Sequence, residues 1–174
     1  MSMLYDPQKK DSVAKSISLT VTQAVSYYQD LQLHLDSFNI QFIEDIFKRY
    51  GYPGKKMVGT PTNEAAWNII QHSQKIDKYL PIIKKAAEDN ELPFYLYGMM
   101  LDRQLMSEGK EQLYGSQVTC RTIKTGKNGC FVWPIKDADQ VNARRKEAGF
   151  TLTVEQNSKR LGVAYSVIKL SDIK

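Results

Sequence analysis

Apolar residues recur at helical spacing through much of the first hundred positions. From about Leu19 to Leu35 the run Val21, Ala24, Val25, Tyr28, Leu31, Leu35 predicts one helix. Asp36 or Ser37 can cap a second, whose stripe is Ile40, Ile43, Ile46, Phe47, Tyr50; Gly51 ends it and Pro53-Gly54 makes a turn. Thr60-Pro61 reads as an N-cap plus first helical residue, starting a third helix that runs to about Ser73. Pro81 opens or kinks a fourth, and a fifth spans about Pro93 to Glu108.

After Gly115 the period changes. Gln117 to Lys124 and Cys130 to Ile135 alternate around a Gly/Asn turn and predict a β-hairpin. Asp137 can cap a sixth helix ending near Glu147. A last short helix, about Val154 to Leu161, precedes a terminal strand over Ala164 to Leu170. The expected fold is α+β and mostly α: a helical body of about five helices, then a β-hairpin and one or two short helices. Residues 1–17 are polar and read as a flexible arm, leaving 18–174 as a single globular domain.

Two stripes carry a polar residue where an apolar one is expected. His72 falls in Ala65, Ile69, His72, Ile76, and Asp102 falls in Tyr95, Met99, Asp102, Met106. A buried polar group either has an internal partner or belongs to a site. His72 is the candidate acid/base, because imidazole exchanges a proton near neutral pH; the plainer reading is a core histidine bonded to a carbonyl. Asp102 needs a partner, and His72, Arg144 and Arg145 are the candidates. With His72 it would fix the imidazole tautomer; with an arginine it would tie two helices together. Arg103 can clamp a carboxylate or phosphate, or be a solvated surface arginine. Gln71 flanks His72. In the segment Gly109–Gln117, Gln112, Tyr114 and Gln117 can position a ligand, although the segment can equally be a helix-to-strand connection.

Composition narrows the function classes. Of 174 residues, 42% are hydrophobic, which argues against disorder. The net charge of +5 comes from short scattered groups such as Lys55-Lys56 and Arg144-Arg145-Lys146; none reaches the clusters that suggest a nucleic acid, and an anionic small molecule fits the balance equally well. Lys55 and Lys56 before a helix start can attract an anion, or lie in a solvated loop. No run approaches the roughly 18 apolar residues of a membrane span, and the N-terminus lacks a signal-peptide core. The expectation is a cytoplasmic protein, although a chain whose leader had been removed would read the same. The residue pattern suggests no cofactor. With His34 and His72 as the only histidines, metal-ligand spacing is absent. Cys120 and Cys130 read as free or semi-buried thiols, with pairing across the hairpin as the alternative.

The ordered motifs Gly51-Tyr52-Pro53-Gly54, Val58-Gly59, Ala66-Trp67-Asn68-Ile69-Ile70-Gln71-His72, Leu101-Asp102-Arg103, Gly109-Lys110-Glu111-Gln112-Leu113-Tyr114-Gly115-Ser116-Gln117, Val141-Asn142-Ala143-Arg144-Arg145 and Gly149-Phe150 resemble a bacterial domain family of unknown function, over roughly residues 28–150. The resemblance implies a shared polar site built from Gln71, His72, Asp102, Arg103, Gln112, Tyr114 and Gln117, and implies no activity. Family members tend to carry Asp-Gln and a nearby Arg in the first helix, where this chain reads Tyr28-Gln29-Asp30-Leu31-Gln32-Leu33-His34.

Two functions follow from these residues. One is a metal-independent hydrolase or transferase acting on an anionic ligand. There His72 and Asp102 would be catalytic, and Gln71, Arg103, Gln112, Tyr114, Gln117, Arg144 and Arg145 would bind the ligand. The other is a non-catalytic binding or interaction module whose His/Asp/Gln network is structural, with a protein partner met by an exposed Phe131 and Trp133 on the hairpin.

Overall fold

The computed structural model describes residues 7–122, 124 and 128–173. Among them are eight α-helices and one two-stranded hairpin, an α+β fold that is mostly α. The chain divides into two compact units, residues 1–48 and 49–174.

In the first unit α1 (Pro7–Ser16) occupies part of the stretch read as an arm. The turn after it is closed by the Leu19 N–H donating to the Ala14 carbonyl at 3.0 Å. Thr20 and Gln23 then bond each other at the start of α2 (Val21–Tyr50). The two helices expected over 19–50 are thus one helix of 30 residues. Asp36 and Ser37 are good capping residues, but no Pro or Gly interrupts 21–50. Asp36 instead accepts a bond from Gln32 one turn earlier, at 2.7 Å.

The second unit begins with a short helix, α3 (Lys55–Val58). The anion at its first turn is the protein's own: Glu91 Oε2 accepts the Lys56 N–H at 2.8 Å, and Oε1 pairs with Lys56 Nζ at 3.0 Å. These bonds hold the Glu91 carboxyl below the usual glutamate value. A 3-10 turn, Thr62–Glu64, leads into α4 (Ala65–Ile70), so Thr60-Pro61 does not itself begin the helix. Trp67 is buried and its indole N–H donates to the Leu96 carbonyl at 2.8 Å. α5 (Ile76–Glu88) starts before Pro81 and carries it inside, and α6 (Phe94–Ser107) packs on it; Ile83 and Ala86 of α5 and Leu96 and Met100 of α6 are buried.

β1 (Val118–Thr122) pairs antiparallel with β2 (Asn128–Val132), with Cys120 opposite Cys130. The two cysteines form a disulfide on the exposed part of the hairpin, which corrects the expectation of free thiols. Residues 126 and 127 of the expected turn lie outside the described residues. Phe131 and Trp133 are buried rather than exposed: the Trp133 indole N–H reaches the Lys110 carbonyl at 2.7 Å. Asp137 makes no side-chain cap, and a 3-10 turn precedes α7 (Val141–Glu147). α8 (Val154–Arg160) starts with a capping box between Thr153 and Gln156. Val132, Ile135, Val141 and Val154 form a core cluster, against which Tyr165 packs. No strand forms over 164–170; beyond β1, the Lys124 N–H donates to the Asp172 carbonyl at 2.8 Å.

Candidate functional site

Asp102 is fully buried at the centre of α6. Its partners are the backbone amides of the following loop, with the Ser116 side chain, rather than His72 or an arginine hydrogen bond. Oδ1 accepts the N–H groups of Leu113 (2.7 Å) and Tyr114 (3.0 Å), and Oδ2 accepts the N–H of Ser116 (2.9 Å). Burial pushes the carboxyl up, and the bonds from residues 113, 114 and 116 pull against that shift.

The carbonyls of the same loop face two arginines from α7. Arg144 Nε donates to the Leu113 carbonyl at 3.1 Å, and its Nη2 reaches the carbonyls of Lys136 and Asp137. Arg145 Nη1 donates to the Tyr114 carbonyl at 2.6 Å and Nε to the Leu152 carbonyl at 2.7 Å. One carboxylate therefore holds the loop's donors while two guanidiniums hold its acceptors. Gly115 is required at the bend: its φ is +64°, and a Cβ would meet Ile135 and Val154 at 2.7 Å.

Gln112 completes the clamp. It is fully buried, its amide donates to the carbonyls of Gln117 and Trp133, and its Oε1 accepts the Gln117 N–H. Gln117 is buried beside it and donates to the Ser116 hydroxyl at 3.0 Å. Tyr114 stacks on Phe150, with centroids 5.4 Å apart. Both rings approach α6 at Gly98, where a Cβ would come within 3.1–3.2 Å of them.

Six of the nine candidate residues are thus drawn together around residues 112–117. Of the other three, Gln71 and His72 follow the end of α4, and Arg103 reaches Gln71 from α6. α4 stops at Ile70, so the stripe that predicted burial for His72 is not helical beyond it; His72 is exposed in the following turn. Among the described residues it makes no hydrogen bond to Asp102. Arg103 is half-buried and donates to the Gln71 carbonyl at 2.8 Å. Burial lowers its guanidinium pKa.

A cavity of about 300 Å³ opens behind the clamped loop. Its apolar wall is Tyr95, Met99, Phe150 and Leu152; its polar lining includes Ser116, Arg145, Asn157 and Arg160. Arg145 alone joins the clamp to this space among the nine candidates. Its guanidinium lies 4.4 Å from the Phe150 ring centroid. Burial lowers its pKa, and the charges of Asp102 and Glu155 oppose that shift. Arg160 Nη2 donates to Asn157 Oδ1 at 2.9 Å. Among the described residues, no hydrogen bond uses Arg145 Nη2, Arg160 Nε and Nη1, or Asn157 Nδ2. Among the described residues, no carboxylate lines the space.

Asn157 and Arg160 escaped the sequence reading. The signal available was the Thr153-to-Gln156 capping box, which fixes a helix start and so places positions 157 and 160 on one face. Among the described residues, no cluster of three or more His, Cys, Asp or Glu side chains is placed to hold a metal.

A mostly helical α+β unit with a clamped loop beside an arginine-lined cavity is the class that these observations define. The chain belongs to a family of unknown function (DUF6624), whose model matches residues 27–169. No curated protein and no solved structure matches it.

Proposed function

We propose that the chain binds an anionic small molecule in the cavity between α6, the clamped loop and the α7–α8 turn. The observation that carries this is the lining itself: two guanidiniums with unused donors, an unused Asn157 amide and no carboxylate beside an apolar wall. A volume of about 300 Å³ lies at the small end of ligand sites. A carboxylate or phosphate on a compact apolar body fits these walls, the anion meeting Arg145 and Arg160 and the body meeting Tyr95, Met99 and Phe150.

Binding is favoured over hydrolysis or group transfer. Among the described residues the cavity lining holds neither a histidine nor a carboxylate, and the hydroxyls there are those of Tyr95, Ser116 and Thr151. Asp102 is engaged with amides, and His72 is not among the lining residues. The Asp102, Gln112, Gln117, Arg144 network acts as structure that holds one wall of the site.

No helix among the described residues is long and apolar enough to cross a membrane. Disulfides persist in oxidising compartments and are rare in the cytosol. The exposed Cys120–Cys130 bridge therefore favours an extracytoplasmic setting over the cytoplasmic one that the sequence suggests.

The test is a thermal-shift screen of small carboxylates and phosphates on wild type, Arg160→Gln and His72→Ala. A ligand at about 100 times its Kd adds about 2.7 kcal/mol, or roughly 5–10 °C. The expected hit survives His72→Ala and is lost in Arg160→Gln. A hit abolished by His72→Ala and retained by Arg160→Gln would move the site to the end of α4.

A further inference from the structure

The exposed large apolar side chains concentrate on α2. Leu31, Leu35, Phe38 and Phe42 are 42, 49, 66 and 57% exposed. Their spacing of four, three and four residues is that of a coiled-coil seam. The same spacing extends back to half-exposed Tyr28 and forward to Asp45 and Arg49, both exposed. The buried residues of this part of the helix, Ile40 and Ile43, fall on a different face.

We infer that this seam docks a second copy of the chain, antiparallel, about a point between Asp36 and Ser37. The charges choose the direction. A parallel pair sets each seam residue against its own copy, so Asp45 meets Asp45 and Arg49 meets Arg49. The antiparallel pair sets Leu35 against Phe38 and Leu31 against Phe42. It also sets Tyr28 against Asp45, where the phenol can donate to the carboxylate. The position that would oppose Arg49 is Ala24, which is buried within its own chain, so the paired stretch runs from Tyr28 to Asp45. Antiparallel helices also oppose their dipoles. The five apolar positions of each copy would bury on the order of 1,000 Å² in total, at the lower edge of stable interfaces. The association is therefore reversible and concentration-dependent.

Sedimentation of the full chain over a concentration series tests this. The mass should rise from one chain to two for wild type and stay at one for the Leu35→Glu/Phe38→Glu double variant. Its helical circular dichroism and thermal midpoint in dilute solution should match those of wild type. Direction is read with a short bis-maleimide, to which the native disulfide offers no thiol. A mixture of Leu31→Cys and Phe42→Cys should cross-link better than either variant alone. A wild type that is monomeric at every concentration overturns the inference. So does a double variant that melts early, because the seam would then be packed within its own chain. Stronger self-cross-linking of each single variant would overturn the antiparallel arrangement.

Discussion

The loop at residues 112–117 and the cavity wall at residues 149–160 share Arg145 and differ in how their polar groups are satisfied. In the loop, amides meet Asp102 and carbonyls meet arginines or Gln112. At the wall, donors of Arg160 and Asn157 remain unused beside open space. A saturated polar network fixes a backbone; an unsaturated one facing a cavity has capacity for a ligand. Substitutions in the two places should therefore separate, the loop losing stability and the wall losing binding.

The sharpest break is Asp102→Ala. It would strand the Leu113, Tyr114 and Ser116 amides and leave the nearby Arg145 charge without its opposing carboxylate. A loss of about 3–5 kcal/mol is expected, read as a fall of roughly 6–20 °C in thermal midpoint. A loss below about 1 kcal/mol would mean the clamp is not what holds the loop. Gly115→Ala comes next, at about 2–3 kcal/mol, because the new Cβ meets both a left-handed φ and two core methyl groups; chemical denaturation measures it.

Glu91→Gln tests a contact remote from both regions. The folded carboxyl has a lowered pKa, so its stabilisation is present above the ordinary value of 4.5 and disappears as pH falls through the lower folded value. The difference in midpoint between wild type and variant should be full at pH 7 and close below about pH 4. A gap independent of pH would exclude the ionic contact as its cause. His72→Ala should change stability by less than about 0.5 kcal/mol and leave ligand binding intact.

Sequence legibility followed how local each determinant is. Asp102 was readable as a buried charge because α6 is continuous through it, with Pro93 fixing the start and Gly109 following the end. Its partners were not readable, since any residue type presents the same backbone N–H. The reading of His72 extended a helical period past Ile70, where a turn with no sequence breaker closes α4. Asp36 and Ser37 offered a cap, but nothing nearby broke the helix, and α2 ran on. The hairpin was legible from its alternation. The disulfide needed the pairing register, which two cysteines alone do not specify. Arg160 had no stripe to violate, because its place depends on where α8 starts.

The Cys120–Cys130 bridge also has a practical consequence. Neither cysteine lines the cavity, and both lie on the exposed part of the hairpin. Gentle reduction would release two accessible thiols in a chain with no other cysteine. A fluorophore attached there would give the protein a reporter at a defined address, and the cavity wall would keep its native side chains.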